Sequence, residues 1–190
     1  TREKNDSYKL RTSFDLTYEI ADGLALKSGV AVDYLQNNQN VFLPKEVNEY
    51  GKTYSSGTIA RHLMVLNENL LTYRRTLGGS HHADLLLGFS IQQDEMNNNT
   101  GKALGAASNT IHYAPWYSQV YDAEAQLDLK DYYSDYEKKT MVGLFGRLNY
   151  NYRERYYAGF TLRRDASSTF GEDVRWGWFP SYFVGWTFTE

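Results

Sequence analysis

Apolar and polar residues alternate with a period of two through most of the chain. From Asp6 to Ile20, Tyr8, Leu10, Phe14, Leu16, Tyr18 and Ile20 share one side, and Ser7, Lys9, Arg11, Ser13, Asp15, Thr17 and Glu19 share the other. This is the period of a β-strand whose two faces meet different surroundings. Ala21-Asp22-Gly23 predicts a tight turn. The pattern returns from Leu24 to Leu35, with Leu24, Leu26, Val30, Val32 and Tyr34 apolar and Lys27, Gly29 and Asp33 opposite.

Ile59 to Thr76 reads as the next strand, with conflicting parity. Leu63, Val65, Leu71 and Tyr73 favour one face, and Met64, Leu66 and Leu70 the other; a bulge near Asn67 to Asn69 would reconcile them. Gly78-Gly79-Ser80 predicts a second turn, after which Ala83, Leu85, Leu87, Phe89 and Ile91 alternate with His82, Asp84, Gly88, Ser90 and Gln92. The last fifty residues give a hairpin. Val142, Leu144, Leu148, Tyr150 and Tyr152 alternate with Arg147, Asn149 and Asn151, then Arg153-Glu154-Arg155 turns into Tyr156, Ala158, Phe160 and Leu162. A final strand runs from Trp178 to Thr187.

About seven strands result, and those of the last hairpin are about ten residues long. A tilted strand needs about 9–11 residues to cross a bilayer, whereas ordinary globular strands have about five or six. Short turns alternate with long connections at 36–58, 93–139 and 165–177, the asymmetry of outer-membrane barrels, whose long loops are extracellular. The tract from Tyr121 to Glu137 is acidic and tyrosine-rich; Leu127, Leu129 and Tyr133 suggest a short amphipathic helix in it. Tyr18, Tyr73, Tyr152, Tyr156 and Tyr157 lie near the short-turn ends, and Tyr34, Trp176 and Trp178 near the other, as two interfacial belts would.

Composition narrows the choice. The chain has 190 residues and a net charge of −3, with pI about 5.8. With no basic excess, nucleic acid is not an expected partner. The absence of cysteine excludes a disulfide scaffold and thiolate metal sites. Mean hydropathy is −0.61, and no window supplies a transmembrane helix. A barrel strand shows lipid only every second residue, so a low mean is compatible with membrane residence. Aromatic residues make up 16%, including 17 Tyr and 4 Trp, which suits an aromatic-girdled barrel or a sugar-binding β domain. No signal peptide opens the chain, and it reads as a piece of a longer polypeptide.

Several stretches resemble a known family. They are Phe145-Gly146-Arg147-Leu148-Asn149-Tyr150, Arg155-Tyr156, Leu162-Arg163-Arg164-Asp165-Ala166-Ser167-Ser168-Thr169-Phe170-Gly171, Arg175-Trp176-Gly177-Trp178-Phe179-Pro180-Ser181 and Gly185-Trp186, with Asn67-Glu68-Asn69-Leu70-Leu71-Thr72-Tyr73 earlier. Together they look like the barrel signature of SusC/RagA-class TonB-linked outer-membrane transporters. Ala166 stands where that family usually has Gly, and would strain the turn if a positive φ is required there. The resemblance implies an all-β, antiparallel transmembrane barrel segment, residues 1–190 supplying about seven strands of a 22-stranded, plugged barrel. It implies import of oligosaccharides or peptides across the outer membrane. It also implies a SusD-like surface lipoprotein as partner and energy from TonB with ExbB–ExbD, reached through parts outside this chain.

No catalytic constellation is evident, and the expectation is a transporter, not an enzyme, with no cofactor and no metal. His81-His82 reads as a solvated pair beside a turn, and His62 and His112 have no spaced partners. The acidic tract lacks the ligand spacing and central Gly of an EF-hand, so Ca²⁺ binding there stays open. If the charged face lines a lumen, Arg147, Arg163 and Asp165 are candidates to contact the plug. Loop aromatics stack on sugars and present hydroxyls to them. Tyr113, Trp116, Tyr117, Tyr132 and Tyr133 are therefore candidate substrate contacts; otherwise they pack the loop on itself or meet the lipoprotein. The alternative reading is a soluble β-sandwich carbohydrate-binding module, which would bury its apolar faces in a core.

Overall fold

The computed structural model describes residues 2–49, 51–105, 109–110, 112–113, 121–122, 127–128 and 130–188. Its strands are β1 (Arg2–Ala21), β2 (Leu24–Leu43), β3 (Tyr54–Leu77), β4 (His81–Leu104), β5 (Tyr121–Asp122), β6 (Leu127–Asp128), β7 (Lys130–Tyr152), β8 (Tyr156–Ser167) and β9 (Trp176–Trp186). Seven form one sheet in the order β1-β2-β3-β4-β7-β8-β9, while β5 and β6 pair separately. Contacts divide the chain into two compact units. One comprises Thr1–Arg11, Asp33–Leu63 and Glu95–Lys138, and the other Thr12–Val32, Met64–Asp94 and Lys139–Glu190. The second contains the three tight turns and the paired strands β8 and β9.

Each turn has a local cause. Gly23 has φ +74°, and a Cβ there would lie 2.1 Å from the carbonyl oxygen of Arg74, so only glycine fits. Gly78 and Gly79 both take positive φ, +57° and +69°, as a tight hairpin turn requires. The third turn is different: Arg153 and Glu154 hold φ of 53° and 54° without being glycine. The Arg155 amide donates to the Tyr152 carbonyl at 3.1 Å, and the Tyr157 hydroxyl donates to the Glu154 carbonyl at 2.5 Å.

The two faces separate cleanly in β7, β8 and β9. Register puts Leu144, Arg164 and Trp178 in one row, Leu148, Phe160 and Tyr182 in another, and Tyr152, Tyr156 and Trp186 in a third. These rows share the apolar face. Gly143–Asp165–Gly177, Phe145–Arg163–Phe179 and Arg147–Thr161–Ser181 share the opposite, polar face. In β3, side chains of both parities have identifiable surroundings. Leu66 borders the same hollow as Ser90 and Arg163, on the polar side. Asn69 accepts from the Ser28 hydroxyl at 2.7 Å and donates to Asn67, whose amide reaches the Gly29 carbonyl at 3.0 Å. The two asparagines thus satisfy each other and the neighbouring strand.

A conventional core is missing. Among the described residues only Phe42, Ala103 and Ala166 are buried hydrophobics, and the largest fully buried side chain is Ser55. Accessible surface is 13777 Å², against roughly 9,300 Å² expected for a folded monomer of this mass. Phe14, Leu16 and Tyr18 are among the large apolar side chains left exposed, at 71%, 60% and 65%. A sandwich would cover these with a second sheet. The soluble carbohydrate-binding module is therefore excluded as the fold of this chain.

Packing of another kind occurs on the polar face, where aromatic rings lie over glycines. A Cβ on Gly88 would come within 2.2 Å of the Phe145 ring, and one on Gly159 within 2.0 Å of the Phe183 ring. Such ring-over-glycine pairs cover backbone that would otherwise lack side-chain contact.

Three expectations are corrected. The strands run to 20–24 residues in β1 through β4, past the ends expected for them, so regular structure continues into 36–43, 54–58 and 93–104 and resumes at Lys130. The helix expected through Leu127, Leu129 and Tyr133 is not there: Leu127 is in β6 and Tyr133 in β7, while Leu129 lies outside the described residues. Ala166 brings no strain. It lies within β8 between Val142 and Trp176, and positive φ among the described non-glycine residues is confined to Arg153 and Glu154.

Two stability predictions follow from this packing. Gly88→Val should destabilise the protein by about 1–3 kcal/mol, but cost little in a Phe145→Ala background; urea unfolding of the micelle-embedded protein reads both. Replacing Arg153-Glu154 by Asn-Gly should stabilise by about 1 kcal/mol or more by relieving the left-handed backbone, seen as slower unfolding.

Candidate functional site

The polar face is built by cross-strand charge. Arg11 of β1 donates through Nε to Asp33 of β2 at 2.8 Å. Lys27 stands 3.5 Å from Asp15, and Arg74 of β3 3.4 Å from Asp84 of β4. These exposed pairs each contribute at most about 1 kcal/mol. Their clearer effect is on register, since a one-residue slip would carry a charge to the apolar face.

The most organised part of this face is in β7, β8 and β9. Arg163 and Asp165 are two residues apart on β8 and so share a side. The Arg163 Nε donates to both carboxylate oxygens of Asp165, at 2.9 and 2.7 Å. Gly143, directly across on β7, makes room: a Cβ there would lie 2.8 Å from Asp165 Oδ1 and 2.8 Å from Ser90 Oγ. The guanidinium also stands over the Phe145 ring at 5.7 Å. The pair borders a hollow of about 350 Å³, with Ser90, Gln92, Phe170 and Phe179 among its walls. The terminal nitrogens of Arg163 find no acceptor among the described residues, so the hollow offers two N–H-bearing groups to whatever enters.

Of the residues singled out from sequence, Arg163 and Asp165 come together here. Arg147 is on the same face, paired with Thr161, but does not line the hollow. Tyr132 and Tyr133 are exposed on β7, and the Tyr132 hydroxyl donates to Asn99 at 2.8 Å. Tyr113 is 66% exposed, beside a small hollow with Lys4, Phe42 and His112. There the Lys4 ammonium is held above its ordinary pKa by its hydrogen bond to Asp6. Trp116 and Tyr117 lie outside the described residues. Among the described residues no cluster of His, Cys, Asp and Glu could hold a metal ion. His81 is more than a solvated turn residue. Its Nδ1 is 2.5 Å from the Tyr150 hydroxyl and its ring is 4.7 Å from that of Tyr152. Ser90, Gln92 and Gly143 could not be found from sequence, because only strand register places them beside Arg163.

The apolar face has measurable height. At the short-turn end, rings run in sequence through His81, Tyr152, Tyr156, Trp186 and Phe188, with centroids 4.7 to 6.4 Å apart. Eight residues up β8, Arg164 meets Trp176 and Trp178. Eight residues span about 26 Å along a strand, or roughly 20 Å of height at barrel tilt, close to the apolar band of about 25 Å between aromatic girdles. Gly146, Leu162, Pro180, Leu148, Phe160, Tyr182, Tyr150, Ala158 and Val184 lie between. None is charged.

Similarity to known proteins agrees with this geometry. No family model matches the chain. The TonB-dependent receptor P39 of Formosa agariphila is 29% identical over 177 residues, 92% of this chain and 16% of the receptor. The TonB-dependent receptor SusC of Bacteroides thetaiotaomicron is 28% identical over 179 residues, 93% of this chain and 16% of the receptor. A solved structure of the RagAB peptide transporter superposes with TM-score 0.82 at 20% identity, over 96% of this chain and 20% of that one. The chain is SusC/RagA-like barrel wall. It spans under a fifth of the length of the curated relatives it matches.

SusC/RagA-like wall lies in the bacterial outer membrane, and an uncharged apolar face of this height suits lipid. The bond between Arg163 and Asp165 is half exposed, with side-chain exposures of 50% and 36%. It should therefore add little to stability: a double-mutant cycle with Arg163→Ala and Asp165→Ala should give a coupling under about 1 kcal/mol. A much larger coupling, read from unfolding midpoints, would mark the pair as structural.

Proposed function

We propose that this chain is part of the wall of a TonB-dependent importer of oligosaccharides or peptides. It supplies about seven strands of a plugged barrel of about 22 strands, and segments 36–58, 93–139 and 165–177 face the cell exterior. The observation that carries this reading is the two-faced sheet, with an uncharged apolar band of bilayer height on one side and an Arg–Asp hollow on the other. β1 and β9 each have a neighbour on one side only in the sheet order. Lipid cannot satisfy an open strand edge, so further strands of a longer polypeptide pair with both.

In this reading Arg163, Asp165 and Arg147 touch the plug across the lumen. The unused Arg163 nitrogens suit carbonyl or carboxylate groups. A SusD-like lipoprotein covers the outer mouth, and TonB with ExbB–ExbD supplies energy through the plug side. Tyr113, Trp116, Tyr117, Tyr132 and Tyr133 contact substrate near the mouth. No bond is made or broken by the chain, so it is not an enzyme.

The test uses the full-length receptor in cells with and without TonB, supplied with fluorescent oligosaccharide and peptide mixtures. Arg163→Gln with Asp165→Asn should leave outer-membrane abundance unchanged and lower TonB-dependent uptake roughly tenfold, the factor carried by about 1.4 kcal/mol. Uptake that is indifferent to TonB would contradict the importer reading; uptake indifferent to the two substitutions would remove the pair from the plug contact.

A further inference from the structure

One cation sits on the lipid face at the edge of its uncharged band. Arg164 is in register with Leu144 on β7 and Trp178 on β9. Its guanidinium carbon is 4.3 Å from the Trp176 ring centroid and 4.8 Å from that of Trp178. Two indole faces therefore hold it by cation–π attraction, which is strongest where water is excluded. Its Nε is buried and has no acceptor. The adjacent carboxylate, Asp165, is taken up by Arg163 on the opposite face. Arg164 is thus an oriented, partly desolvated charge with no counter-ion among the described residues.

A groove of about 600 Å³ leads to it across the same face. Gly146 has no side chain, so backbone forms its floor. Leu87, Leu144, Leu148, Phe160 and Leu162 supply its apolar lining, Arg164 and Trp178 line it too, and no acidic residue does. Leu87 is the one neighbour near Gly146, 3.3 Å from where a Cβ would stand. An apolar channel with a cation at the interfacial level matches one ligand chemistry: an acyl chain bearing a phosphate. Arginine binds phosphate through paired N–H donors, and its planar group keeps stacking on tryptophan while it does so.

We propose that this groove binds a phosphorylated lipid of the outer leaflet, with an acyl chain over Gly146 and a phosphate on Arg164. The site rests on the outer-membrane placement of the lipid face. Of the residues assigned to the plug contact, Arg147 also borders the groove, whereas Arg163 and Asp165 do not.

Full-length receptor, purified from outer membranes and delipidated in detergent, is titrated by native mass spectrometry with bisphosphorylated lipid A, dephosphorylated lipid A and inorganic phosphate. The wild type should prefer the phosphorylated lipid about tenfold, as one charge-assisted hydrogen-bonded pair implies. Arg164→Gln should abolish that preference, and Arg164→Lys should keep part of it. Gly146→Leu, which fills the floor, should weaken both lipids alike. Heat-modifiable migration on gels verifies that each variant is folded, and Leu87→Trp is a second groove-filling variant if Gly146→Leu is not. Equal preference in wild type and Arg164→Gln would overturn the proposal, as would inorganic phosphate binding as tightly as the phosphorylated lipid. Fractionation of the same cells keeps the two readings apart. A protein in the outer membrane without the lipid preference refutes only the lipid site, whereas a protein absent from that membrane refutes both.

Discussion

Hydrocarbon offers no hydrogen bonds, and this constraint governs the structure. A backbone amide left unpaired in a bilayer costs several kcal/mol. Strands can cross only if each is paired on both sides, and side chains must then divide by parity between lipid and lumen. The period-two alternation, the missing core and the surface in excess of a globular monomer are consequences of that one rule. Burial in the usual sense stabilises little here. The apolar rows from Leu144 to Trp186 are buried only when lipid is counted as part of the fold.

On the polar face, opposite the apolar rows, contacts are local. Rings of Phe145 and Phe183 lie on Gly88 and Gly159, and ion pairs such as Arg11 with Asp33 and Arg163 with Asp165 join neighbouring positions. Glycine in a strand interior is usually a weakness. At Gly88 and Gly159 it creates the recess that an aromatic neighbour fills, and at Gly143 it lets a carboxylate approach the sheet. The same economy of side chains at Gly146 leaves a furrow on the lipid face.

The sequence made the strands, their faces and the three tight turns readable, because between Tyr8 and Ile20, or Leu144 and Tyr152, one neighbour is lipid and the other is not. It was a poor guide to where strands end. Past the aromatic rows both faces meet water, so the alternation fades although pairing continues, as in Gln36–Leu43 and Gln93–Leu104. The acidic tyrosine tract looked helical for that reason, and Tyr133 is instead in a strand. Arg163 and Asp165 could be placed on one face from their spacing alone. Gly143 and Ser90 beside them, and Trp176 beside Arg164, depend on register between strands, which no single strand's pattern encodes.

The account stands or falls on the two faces having different solvents. The chain has no cysteine, so single cysteines placed from 144 to 149 in the full-length protein can carry a nitroxide label, with the protein reconstituted in lipid. Electron paramagnetic resonance then reports collision with oxygen, which concentrates in lipid, and with a water-soluble nickel chelate. The account predicts that labels at 144, 146 and 148 favour oxygen while those at 145, 147 and 149 do not, alternating residue by residue. Equal accessibility along the strand, or nickel favoured at 144, 146 and 148, would contradict it.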